Sequence, residues 1–171
     1  MARRVFFSFH HQRDSWRVAQ VRNSWVGQRG ETNTFMDAAA WEEVRRKGDA
    51  AIKAWIDSEM NGTSVTVVLI GTETSTRPFV KYEIEQSYKR QNGLLGVYIH
   101  RVKDSSKSIS RRGKNPLDNF TASVDHPFWG FLGRKVEKKY SEIFQTFDWI
   151  NDDGRRNIVS WIEAAARRAK R

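Results

Sequence analysis

With 171 residues, 39% hydrophobic, including seven Trp and ten Phe, the chain has the material for one well-filled core. It contains no cysteine, which excludes disulfides and thiolate metal sites and fits a reducing, cytoplasmic compartment. The formal charge of +10 is uneven, with 16 Lys/Arg against 9 Asp/Glu in residues 101–171. It favours anionic partners such as nucleotides, nucleic acid or acidic proteins, and no apolar run approaches the roughly 20 residues of a membrane span.

In chain order, "RVFFSFHH" reads as a short opening strand, too short an apolar run for a signal peptide. "DSWRVAQVRNSWV" places Val18, Val21 and Trp25 at helical spacing, with Asp14 as the expected cap. "TNTFMD" predicts a second, shorter strand ending at Asp37. "DAAIKAWIDSEMNG" is the clearest early helix: Asp49 caps it, Ile52, Trp55, Ile56 and Met60 form its stripe, and Asn61-Gly62 stops it. "SVTVVLIG" and "GLLGVYIH" read as strands covered on both faces. Between them "PFVKYEIEQSYKRQ" predicts a helix with Pro78 in its first turn.

The order β-α-β-α-β-α-β predicts an α/β fold, a doubly wound, flavodoxin-like parallel sheet flanked by helices. Such sheets bind ligands beyond the carboxyl ends of their strands, which directs attention to loops 9–13, 37–48 and 71–78 and to the segment after residue 100. Residues 101–140 are polar, basic and turn-rich, and read as a loop-rich insertion after the fourth strand, within a single domain spanning 1–171. "IFQTFDWI" holds a short fifth strand. "DDGRRNIVSWIEAAARRAKR" closes the chain as a helix with Ile158, Trp161, Ile162, Ala165 and Ala169 on one face. Asp152 and Asp153 are expected to cap that helix rather than to form a cation cluster with Asp148. The four His show no metal-ligand spacing, and no Gly-rich phosphate loop is present.

The stretch "RPFVKYEIEQS" carries two glutamates of different character. On a helical wheel Val80, Ile84 and Tyr88 face the sheet, while Glu85 falls between Lys81 and Lys89 in a solvated stripe. Glu83 shares a stripe with Phe79 and Ser87 at the border of the buried face. It lies about one turn into a helix that leaves the strand "SVTVVLIG", near the sheet's carboxyl edge. A carboxylate there is either partly desolvated, with a raised pKa, or a simple complement to the helix N-terminus.

Several segments together resemble a known family. "RVFFSFHHQRD" resembles the opening strand and loop of Toll/interleukin-1 receptor (TIR) domains, and "RPFVKYEIEQS" their "WCxxE" element, with Phe79, Val80 and Glu83 at its three named positions. The likeness is closer to the TIR-like proteins of the bacterial Thoeris anti-phage system, through "RVFFSFH", "MDAAAWEE", "NGTSVTVVLIG", "VKYEI" and a closing "DW…DDG". The sequence departs from the broad TIR pattern at Val5, where an acidic residue is common, at Phe79-Val80 in place of Trp-Cys, and in the basic segment at the usual fourth-helix region.

The resemblance implies an NAD glycohydrolase or cyclase that cleaves the nicotinamide–ribose bond and makes a cyclic ADP-ribose isomer, a second messenger for a downstream effector. It implies NAD as substrate, no cofactor and no metal. Glu83 would be the carboxylate beside the developing ribose cation. Phe6, Trp41 and Phe79 are the candidate rings against the substrate, Phe6 and Trp41 being equally readable as core aromatics. Ser8 and His10, at the exit of the first strand, are candidates for ribose or phosphate, and His10 also reads as an ordinary loop residue. Asp37 either caps its loop or lines the pocket. The 101–128 segment is the expected surface for self-assembly or for a phage-derived activator. Two rivals stand beside this reading: a non-catalytic TIR-like scaffold, and a nucleic-acid-binding domain using the basic stretches. The second lacks the interleaved aromatics of a single-strand binder.

Overall fold

The computed structural model describes residues 3–29, 38–125 and 133–170. Its centre is a parallel sheet of four strands, β1 (Val5–Ser8), β2 (Val65–Ile70), β3 (Gly93–Tyr98) and β6 (Thr146–Asp148), in the order β1-β2-β3-β6. β1, β2 and β3 are buried at every position, through aromatic residues in β1 and mainly β-branched and aliphatic ones in β2 and β3. Val5 pairs with Val65, Val65 with Gly93 and Gly96 with Thr146. Such two-sided burial requires helices on both faces. At Gly93 an added Cβ would lie 2.7 Å from the Ala165 carbonyl carbon, so glycine allows the sheet and the last helix to meet.

One face carries α1 (His11–Arg29) and α6 (Gly154–Arg168). Val18, Val21 and Trp25 of α1 and Ile158, Trp161 and Ile162 of α6 pack there with Val5, Phe7, Val67, Leu69, Leu95 and Val97. The opposite face is covered by α4 (Pro78–Lys89), where Val80 and Ile84 meet Val68, Ile70, Leu94 and Tyr98. Beside it, α2 (Ala38–Arg46) and α3 (Asp49–Met60) pack with Phe6 through Trp41, Ile52, Ile56 and Met60. Burying one such aliphatic or aromatic side chain contributes about 1.5–3 kcal/mol.

Several expectations need correction. Residues 38–46 are helix, not loop: the alanine-rich start, Trp41 and Val44 on one side and Arg45-Arg46 in the last turn all favour it. Asp14 does not cap α1, which starts three residues earlier. It lies buried in the first turn, 3.5 Å from the Arg17 guanidinium. Gly48, at φ 93°, stands at the start of α3, with Asp49 as the first helical residue. Tyr88 is 42% exposed rather than facing the sheet, and rests on Tyr140 at 4.7 Å between ring centres. Asp153 precedes α6 in the left-handed region without a side-chain cap, while Asp152 accepts from the Asp148 backbone N–H at 2.7 Å.

The expected strand "TNTFMD" and Asp37 lie outside the described residues. The short fifth strand of the sequence reading is present as β6, parallel to β3. Between β3 and β6 the chain is not featureless. A single 3₁₀ turn (Pro116–Asn119) leads to β4 (Thr121–Asp125), which pairs antiparallel with β5 (Lys135–Lys139), and α5 (Tyr140–Ile143) returns the chain to the sheet. Among the described residues no helix is long and apolar enough to cross a membrane.

Candidate active site

Where β1 ends and α4 begins, the sheet edge opens into a cleft of about 190 Å³. Phe9, His10, His11 and Gln12 line it from the β1–α1 junction, Trp41 and Arg45 from α2, and Arg77, Pro78, Phe79, Val80 and Glu83 from the start of α4. Pro78 at the first helical position fixes where α4 starts and therefore where these residues point.

Glu83 forms part of the cleft and is only 2% exposed. Its neighbours on the helix show why: Val80, Glu83, Ile84 and Ser87 are all buried, so the carboxyl belongs to the sheet-facing stripe and not to its border. Ser8, the last residue of β1 and itself fully buried, donates its hydroxyl to Glu83 Oε2 at 2.5 Å. Burial pushes the Glu83 carboxyl up to about 8, with the Ser8 hydrogen bond pulling the other way. One turn on, Ser87 donates to Thr66 Oγ1 at 2.7 Å and so fastens the same face of α4 to β2.

The opposite wall is aromatic. The His11 imidazole stacks on Trp41 at 4.1 Å with 6° between planes, and meets Phe9 at 4.1 Å on a tilt. Trp55 closes the group edge-on, 5.9 Å from Trp41. Burial, and then the neighbouring His10, lower the His11 pKa to about 4, so this imidazole is neutral near pH 7 and behaves as one more ring. His10 is also held below its ordinary value, first by burial and then by the positive field of Arg77.

Of the residues expected from sequence, the structure brings Glu83, His10, Trp41 and Phe79 to this cleft and places Ser8 behind Glu83. Phe6 does not line this cleft: it is 8% exposed and packs with Trp41, Ile52, Ile56 and Met60. His11, Phe9, Gln12, Arg45 and Arg77 are additions that the sequence reading lacks. The doublet "HH" after the strand was the available signal for His11. For Arg77 it was the cation directly before the proline that starts the Glu83 helix.

A parallel sheet wrapped by helices, with a buried carboxyl and facing rings in a cleft at the carboxyl end of its first two strands, defines a TIR-like α/β domain. Residues 6–104 match the family described as "Thoeris protein ThsB, TIR-like domain". The chain is 34% identical over 191 residues to a Bacillus cereus (strain MSX-D12) protein named "Putative cyclic ADP-D-ribose synthase ThsB1", covering 95% of this chain and 100% of that one. The chain therefore belongs to the ThsB family of TIR-like Thoeris proteins.

Proposed function

We propose that this protein cleaves the nicotinamide–ribose bond of NAD and closes the remaining ADP-ribose on itself, giving a cyclic isomer that signals in anti-phage defence. The observation that carries the reading is Glu83, a carboxyl buried against one serine hydroxyl and open to a cleft walled by rings. The relative named for cyclic ADP-D-ribose synthesis supports the choice of reaction.

In this reaction the bonding pair of the C–N bond leaves with nicotinamide, which departs neutral, and the ribose C1 becomes oxocarbenium-like. No general acid is needed, because the leaving group starts as a cation. What the transition state needs is negative charge beside the sugar. With its carboxyl near pKa 8, Glu83 is mostly protonated at pH 7, and ionising it there costs on the order of 1 kcal/mol. The cationic substrate offsets that cost and draws the proton off, so the charge appears where the sugar cation forms. A hydroxyl of the adenosine then attacks C1 and loses its proton, or a ring nitrogen attacks and the proton leaves from the adenine exocyclic amine. The products are the cyclic isomer, nicotinamide and one proton. The ring-lined cleft limits water as a competing nucleophile.

A cleft of about 190 Å³ takes one ring and its sugar, not a whole dinucleotide. We place nicotinamide riboside inside and the rest of NAD across the rim. The reaction calls for no cofactor beyond the substrate itself. The protein works in the cytoplasm and reaches its effector through the messenger; assembly or a phage-derived trigger would set its activity.

The test is mass spectrometry of the nucleotides left after NAD is incubated with the wild type and with Glu83→Gln, each with and without lysate from phage-infected cells. A cyclic ADP-ribose isomer from the wild type alone is the expected result. NAD left intact by both proteins under every condition would sink the reading.

A further inference from the structure

The rim of the cleft carries an arrangement that the cleavage chemistry does not use. Arg77 stands six residues before Glu83, at the N-cap position of the same helix. It hydrogen-bonds through Nη2 to Glu73 Oε2, and Arg13 holds the other oxygen of Glu73 at 2.5 Å. The three side chains carry one net positive charge and fix the guanidinium against the cleft wall. Its Nε is buried and has no acceptor among the described residues. A buried N–H donor without an acceptor is costly to keep, and an entering anion would satisfy it. The helix start behind it has no side-chain cap, so the positive end of α4 adds to the same field.

Arg45, also at the rim, is more exposed, 52% against 38% for Arg77, and its Nε already donates to Glu42 Oε2 at 3.0 Å. Arg77 and Glu83 lie six positions apart, about 9 Å at helical rise, a span that suits the reach from the reacting ribose carbon to the phosphates.

We propose that Arg77, steered by Glu73, is the anion-binding residue of this cleft and takes the pyrophosphate of a dinucleotide whose other end lies against Glu83. It is a positioning residue and takes no part in bond cleavage. This inference rests on the NAD reading for the identity of the substrate, but the site itself requires only an ADP-ribose-type diphosphate.

Two measurements on the full chain test it. In calorimetric titration with ADP-ribose, Arg77→Ala should weaken binding about 10- to 100-fold, the value of a lost charge-assisted contact. Arg77→Lys should recover part of the loss, and Arg45→Ala should cost less affinity than Arg77→Ala. In NAD turnover, Arg77→Ala should raise KM by a similar factor with kcat nearly unchanged, which a merely structural role would not do. Far-ultraviolet circular dichroism confirms that each variant folds. ADP-ribose affinity of Arg77→Ala within about twofold of wild type overturns the proposal, as does a larger loss in Arg45→Ala. A wild type that binds ADP-ribose through Arg77 yet leaves NAD intact would remove the catalytic reading and keep this one.

Discussion

Replacing Glu83 by glutamine should stabilise the protein, increasingly as pH rises. An unfolded glutamate releases its proton near 4.5, whereas in the native protein burial holds it until about 8. Between those values the folded state binds more protons than the unfolded state, so raising the pH erodes stability. The loss from this one group amounts to about 3 kcal/mol at pH 7 and approaches about 5 kcal/mol above pH 8, against a typical total of about 5–15 kcal/mol. The side-chain amide of the Glu83→Gln variant keeps an acceptor for the Ser8 hydroxyl and never ionises. Urea unfolding of both proteins at pH 5 and pH 8 gives the difference directly, because every other titrating group cancels between them. The expected outcome is near-equal stability at pH 5 and a variant more stable by several kcal/mol at pH 8. A wild-type-to-variant difference that is the same at both pH values would show that the carboxyl is not held neutral, and the account of the site would fail with it.

Ser8→Ala removes the hydrogen bond that opposes the rise. Hydrogen bonds to a charged group contribute about 1.5–3 kcal/mol, so the acid limb of the kcat/KM profile for NAD should move up by about 1–2 pH units; an unmoved limb would disconnect the hydroxyl from catalysis. Trp41→Ala opens one face of His11, and an NMR titration should find that imidazole moved from about 4 back toward 6.5. Gly71→Ala would bring a Cβ to 2.2 Å from Asp14 Oδ2, and thermal unfolding should record a loss of about 1–3 kcal/mol.

The sheet could be read from the chain because β2 and β3 are continuous apolar runs, which only a strand covered on both faces explains. Glu83 could be singled out because its helical stripe runs through Phe79 and Ser87. What stayed hidden depends on contacts between distant segments. Ser8 and Glu83 are 75 residues apart, so neither the hydrogen bond nor the depth of burial is written in any local pattern. The α2 segment read as loop because it is short, and only Trp41 and Val44 mark its buried side. Tyr88 has the spacing of a sheet-facing residue, yet Tyr140, beyond the hairpin, offers it a ring to rest on. Arg77 looked like one of many cations in a chain with 30 Lys/Arg until the fold put it on the same cleft as Glu83.

Two carboxyls buried at the same end of the sheet separate structure from function. Asp14 and Glu83 are 0% and 2% exposed, and burial raises the pKa of both. Asp14 has cations at hand: Arg17 and Arg13 pull its pKa back down. Arg17 in turn ties α1 to the Val102 carbonyl at 2.8 Å, to Asp104 at 3.0 Å and to the Ser108 carbonyl at 3.2 Å. That carboxyl is spent on holding a loop. Glu83 has only a serine hydroxyl, and no cation among the described residues acts on its titration. Burying a carboxyl without a counter-charge weakens a fold, so its presence on a cleft wall points to a positive charge that arrives from outside. In the proposed reaction the nicotinamide–ribose half of NAD, cationic before its bond breaks and oxocarbenium-like as it does, would bring that charge to the place where Glu83 stands.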